Sequence, residues 1–228
     1  MSAERGRSGV RTGVDWHRAE FVLTALGFLG FVTVLIRITT IYGGLPAHPL
    51  FVHVPVVLIP TTVVAAIVFM IKPRWFSSYG IALAMVSILA MSSVFLAMQS
   101  GAALRAALHL RGATASLIAQ HSHAAHILAI VYVAFTATVI VAFAAQRISG
   151  GWPTGLDIVD DLLSSKSVFM ALRVALVLLS IAADYMVFRT GDLGAKAVWE
   201  GRIKAAHEAG PGGPGAPPLA PPSGVGAP

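Results

Sequence analysis

Five apolar runs of about twenty residues each, separated by short polar breaks, leave this chain little choice of fold. A run of that length can satisfy its own backbone in hydrocarbon only as a helix, because each amide then bonds within the segment. The chain's 228 residues are 56% hydrophobic and 11% charged, against about 25% charged in soluble domains. The expected fold class is therefore an all-α integral membrane protein of about five transmembrane helices, four of them forming a bundle.

Residues 1–19 form a basic N-terminal segment with Arg5, Arg7, Arg11 and Arg18. Residues 20–42 read as a first, signal-anchor-like helix that is apolar apart from Arg37. A signal peptide is the rival reading, but its apolar core spans about 7–15 residues before a small-residue cleavage site. Here the run is longer and ends in "ITTIYGGLP", which favours an uncleaved helix. The second helix is expected from Leu50 to Ile71, closed by "KPRW", with Pro60 inside and Thr61 and Thr62 placed to re-satisfy the carbonyl that Pro60 frees. The third, Tyr79 to Ala103, is rich in Ser, Ala and Gly, which allow close backbone approach in lipid. Leu104 to Ser122 reads as an interfacial connection. The fourth helix is expected from His123 or His126 to just before Arg147, and the fifth from Ser167 to Phe188 with Arg173 and Asp184 inside. Asp157, Asp160 and Asp161 mark a solvated loop capping a short helix. Residues 203–228 are expected to form a disordered Gly/Pro-rich tail.

Four arginines precede the first helix and no Lys or Arg follows it in "GGLPAHP", so the positive-inside rule puts the N-terminus in the cytoplasm. His48, His53, His109, His121, His123, His126 and His207 then all fall on the outer side, and only His17 lies opposite. They share one side whichever way the chain is inserted. The net charge of +6 is spread over loops and tails, which suits lipid headgroups. No basic patch interleaves with aromatics, so no nucleic-acid partner is expected.

Three chemistries suit the histidine-rich face. Haem b needs two imidazoles from different helices at one depth, and His53 and His126 meet that requirement as axial candidates, with His48 and His123 beside them as further cofactor-binding candidates. Zinc or copper could take His121, His123 and His126 of "HSHAAH". The bland alternative is a hydrated imidazole cluster at the interface, the reading that best suits His109 and His121. Asp184 and Arg37 are intramembrane charges at similar depth, so they are either a functional pair or structural glue, with an Asp184–His53 contact as a variant. The absence of cysteine excludes thiolate and iron–sulfur ligation by this chain. No Ser/His/Asp triad, phosphate loop or dinucleotide fingerprint is present, and no catalytic activity of its own is expected.

"HPLFVHVPVVLIP" resembles the opening signature, roughly HPxxVHFPI, of a bacterial membrane family of unknown function numbered 2231. "MQSGAAL" is similar to that family's TGxxD-like turn, and "HSHAAH" falls where the family opens its next helix with a His. "RTGDLGAKAVWEG" is similar to its closing GxxGGxLVYxHG pattern at Gly191, Leu193, Gly194, Val198, Trp199 and Gly201. Asp192 and Glu200 stand where many members carry His. The resemblance covers residues 46–202 and implies a four-helix membrane domain with His48, Pro49, His53, Pro55 and His126 as shared positions. Members joined to iron–sulfur or haem domains imply membrane redox work by association. The expected function is a haem-binding or redox-associated membrane module. The alternatives are a non-catalytic subunit of a larger respiratory or transport complex and a metal-handling protein. The expected partners are the lipid bilayer and a larger membrane complex or redox partner.

Overall fold

A computed structural model describes residues 41–42, 45–108, 112–151 and 155–209. The basic segment, the first apolar run with Arg37, His109 and the tail from residue 210 lie outside the described residues. The described chain opens with two-residue strands, β1 (Ile41–Tyr42) and β2 (Leu45–Pro46), paired antiparallel with Ile41 opposite Pro46. Six helices follow: α1 (His48–Phe51), α2 (His53–Ile71), α3 (Pro73–Ala107), α4 (Gly112–Ser149), α5 (Asp157–Ser164) and α6 (Lys166–Ala209).

Four segments are long and apolar enough to cross a membrane: His48–Ile71, Pro73–Ala107, Gly112–Ser149 and Lys166–Lys204. They form a four-membered ring in which α3 packs on α2 and α4, while α6 packs on α4 and α2. Thus α2 and α4 stand diagonally opposite. Ile59, Val63, Leu83, Ala90, Leu128, Tyr132, Phe135, Val139 and Ala183 fill the interior. Large apolar side chains also point outward, Ile130 at 71% exposure and Phe188 at 76%. An apolar exterior of this kind needs lipid, not water, around it.

Proline sets the local breaks. Pro55 has no amide to offer the Phe51 carbonyl, and the helix is interrupted at Val52, between α1 and α2. Lys72 leaves helical geometry (φ −119°, ψ 79°) ahead of Pro73, and Pro73 opens α3 at once. "KPRW" therefore both ends one helix and starts the next. Pro60 lies inside α2. Thr61 and Thr62 do bond backwards, but onto Val57 at 2.7 Å and onto Leu58 and Ile59 at 3.0 and 2.8 Å, not onto the Val56 carbonyl that Pro60 frees. At the same end of the bundle as Lys72, the Arg173 guanidinium donates to the Met70 carbonyl in the last turn of α2 and lies over the Phe169 ring. It thereby satisfies a terminal acceptor of another helix.

Four boundaries differ from those read in the sequence, the first being the start of α3, at Pro73 and not Tyr79. In the stretch 104–122, expected as a connection, residues 104–107 and 112–122 are helix: α3 runs on to Ala107 and α4 starts at Gly112. Ala and Leu dominate these turns, and helix–helix packing carries them past the apolar core. Likewise α6 does not stop at Phe188. It continues to Ala209, so residues 203–209, assigned to the tail, are helical. Exposed i,i+4 pairs, Asp192–Lys196 at 2.7 Å and Glu200–Lys204 at 3.1 Å, suit a helix that has left hydrocarbon for water.

Candidate functional site: an imidazole pair at one end of the bundle

The buried stripe of α4 is Ala124, Leu128, Tyr132, Phe135 and Val139. One turn back from Ala124, the same stripe reaches His121. On the first transmembrane segment of the bundle, Pro55, Ile59, Thr62 and Ala66 face inward, and seven residues before Pro55 the same face carries His48. Helical periodicity thus aims His48 and His121 into the bundle from two segments. His53, His123 and His126 lie off these stripes and are exposed.

The two inward rings meet at 6.2 Å between centroids, edge to face, with an interplanar angle of 81°. His48 Nδ1 lies 3.0 Å from the Ala97 carbonyl of α3 and 3.3 Å from Ser100 Oγ. His121 Nδ1 lies 2.8 Å from the Thr190 carbonyl of α6. A carbonyl only accepts, so in each ring Nδ1 carries the proton and the lone pair of the neutral imidazole resides on Nε2. Each ring also rests on a glycine. A Cβ on Gly101 would stand 2.9 Å from His48 Cε1, and one on Gly194 would stand 3.2 Å from His121 Cε1 and Nδ1. These two glycines make the space that the rings occupy.

His53 and His126 are placed differently. Nδ1 of each bonds a carbonyl one turn back on its own chain segment, Pro49 at 2.5 Å and Ser122 at 2.7 Å. Both rings are exposed and lie off the inward stripes, so they are not gathered into one buried site. No group of three His, Asp or Glu side chains arranged to hold a metal ion occurs among the described residues, and His121, His123 and His126 do not converge. Asp184 is half-buried on α6, with its Oδ1 shut from solvent and without a hydrogen-bond partner. It does not contact His53, and Arg37 lies outside the described residues.

Sequence reasoning named both His48 and His121 but did not pair them, and it missed the two glycines as their seats. Extending the stripe of α4 back through Ala124 was the signal that joins them. The obstacle was the expected helix start at His123 or His126, well past Gly112, which left His121 outside the helix.

The apolar exterior and four spanning helices define a multi-pass α-helical membrane protein whose helices are in contact with the lipid bilayer. Residues 44–207, well over half of the chain, match the family described as "Predicted membrane protein (DUF2231)", and the chain belongs to that family. No curated protein and no solved structure matches it. Within the matched stretch, His48 of the opening motif, Gly101 of "MQSGAAL", His121 of "HSHAAH" and Gly194 of the closing motif meet at one end of the bundle.

Proposed function

We propose that this chain is a membrane-embedded binding module, without catalytic activity of its own, whose His48–His121 pair takes a metal centre on the two Nε2 atoms. The observation that supports it is the pairing itself: two half-buried imidazoles from different segments, each fixed through Nδ1 to another helix's carbonyl. This is the arrangement by which outer partners orient ligating histidines. A metal–nitrogen bond of about 2.0 Å on each side of one ion puts the ring centroids roughly 6 Å apart; here they stand at 6.2 Å. The 81° angle is compatible with this, because each ring turns freely about its own metal–nitrogen axis.

The shared chemistry is a soft or borderline centre that accepts neutral imidazole, and it has two sources: haem b, or a single copper or zinc ion. Haem would supply one-electron chemistry and join the module to a redox partner. The positive-inside argument puts this end of the bundle on the outer face of the cell membrane. A second reading, a structural subunit of a larger membrane complex, is favoured by exposed Val198, Trp199 and Ile203 on the far end of α6.

The test is an optical spectrum of detergent-purified protein, oxidised and reduced, with elemental analysis of the same sample. A Soret band with sharp reduced bands, lost in His48→Ala and His121→Ala, establishes haem. A colourless sample with one copper or zinc per chain, lost in the same variants, establishes the ion. A colourless, metal-free sample overturns the binding reading and leaves the subunit reading, which partner capture then examines.

A further inference from the structure

Among the described residues seven serine and threonine side chains are buried: Thr62, Ser87, Ser92, Ser93, Ser100, Thr136 and Ser180. Four of them return their proton to their own helix. Thr62 bonds Leu58 and Ile59, Ser92 bonds Ile88, Ser93 bonds Ala90, and Ser100 bonds Ala97. This is the ordinary way for Ser and Thr to hide in an apolar helix. Ser87, Thr136 and Ser180 do not: Ser87 sits against the Tyr132 phenol, while the Thr136 and Ser180 hydroxyls have no partner, and neither do Asp184 Oδ1 and, nearer the imidazole pair, Thr190 Oγ1.

These exceptions are not scattered. Tyr132 is fully buried, and its hydroxyl bonds Thr62 Oγ1 at 2.7 Å across the diagonal of the bundle. Thr62 spends its own proton on a backbone carbonyl, so the phenol donates to Thr62 and keeps its lone pairs for another donor. Ser87 of α3 is a hydrogen-bonding neighbour of that phenol, and Asp184 of α6 lies close enough to act on it electrostatically. Thr136 is one turn from Tyr132 on α4, and Ser180 is one turn from Asp184 on α6. All four long helices thus contribute to one polar layer, inward of the imidazole pair. Asp184 lies six residues from Thr190, about 9 Å along the helix. An unpaired buried hydroxyl costs about 1–3 kcal/mol, so Thr136 and Ser180 in one layer with the Asp184 carboxyl call for a use.

We infer that this layer is an exchangeable proton site, with Asp184 as the acid and Ser180, Ser87, Thr136 and Tyr132 as its hydroxyl surround. The carboxylate takes a proton from hydronium and releases water; on discharge the proton returns to water. The carboxylate needs no counter-cation while it is protonated, and none is supplied. From α4 the facing titratable group is Tyr132; from α3 and α2 the facing groups are the Ser87 and Thr62 hydroxyls. On α6 itself Tyr185 and Arg189 point outward and are exposed, as is His126 on α4. The site is independent of the metal reading, because none of its groups touches His48 or His121.

Infrared difference spectroscopy of the full chain in lipid nanodiscs tests it. The expected result is a protonated-carboxyl C=O band that appears on acidification, shifts in D2O and is absent in Asp184→Asn. Asp184→Glu should retain a titrating band at a shifted frequency, which separates loss of the acid from loss of the fold. Ser87→Ala/Ser180→Ala should move the band, since two hydroxyls of its surround are gone. A band present at every pH makes Asp184 a permanently neutral structural group and overturns the proposal. So does a band that sodium removes at constant pH, or the same titrating band in Asp184→Asn.

Discussion

The pairs His48/His121 and His53/His126 are chemically alike and structurally opposite. All four rings fix Nδ1–H on a backbone carbonyl and leave Nε2 bare. What differs is whose carbonyl it is. His53 and His126 bond one turn back along their own segments, so they report nothing about how the helices are arranged. His48 bonds α3 and His121 bonds α6, so their positions depend on α1, α3, α4 and α6, four helices, being in register. A tautomer alone therefore does not mark a site; a tautomer held by a neighbour does.

The sharpest break of this comparison is ligand retention. His48→Ala and His121→Ala should each lower metal or haem content at least tenfold, while His53→Ala and His126→Ala leave it unchanged, as absorbance and elemental analysis of matched preparations would show. Equal loss from all four would dissolve the distinction. Next comes stability. Gly101→Ala drives a methyl to 2.9 Å from the His48 ring, and overpacking of that kind costs about 1–3 kcal/mol. It should lower the midpoint of unfolding in micelles and displace the ligand together with the ring. Gly194→Ala places its methyl at 3.2 Å from His121, where a small ring shift relieves it, so a loss below about 1 kcal/mol is expected. A reversed order would mean that His121, not His48, is the rigid partner. Tyr132→Phe removes the bond to Thr62, which retains its own carbonyl partners; the cost should be about 0.5–1.5 kcal/mol in the same assay. Smallest of all, the stability changes in His53→Ala and His126→Ala should stay within about 0.5 kcal/mol, as for exposed positions without special contacts.

The spans themselves were legible because hydrocarbon imposes a length and forbids charge, and both are written plainly between Leu50 and Phe188. The short helix at Asp157 was legible for the same kind of reason, since acids gather at a helix start. Helix ends were harder. Once a helix leaves lipid its residues turn polar, and Asp192, Lys196 and Glu200 look like a loop until their i,i+4 spacing is read. The site was half legible. Imidazoles on one side of a membrane can be counted, but their mutual approach depends on the rotation of each helix. That rotation is set by buried stripes, and the stripe of α4 is cut short when its helix is started at His123 and not at Gly112. The partner carbonyls of Ala97 and Thr190 carry no side-chain signature at all.

At 1.5 Å per residue, the 44 residues of α6 make a rod of about 66 Å, roughly twice the hydrocarbon thickness. Measured along that rod from Lys166, an acyl layer of about 30 Å is used up near Met186. Thr190 and His121 then stand among the lipid headgroups, not among the tails. A ligand of the imidazoles would be met at the surface and would not have to cross the oily layer. The same rod turns bilayer thickness into a variable: longer-chained lipids would draw the pair inward and shorter ones would raise it toward water, so the choice of lipid becomes a dial on access.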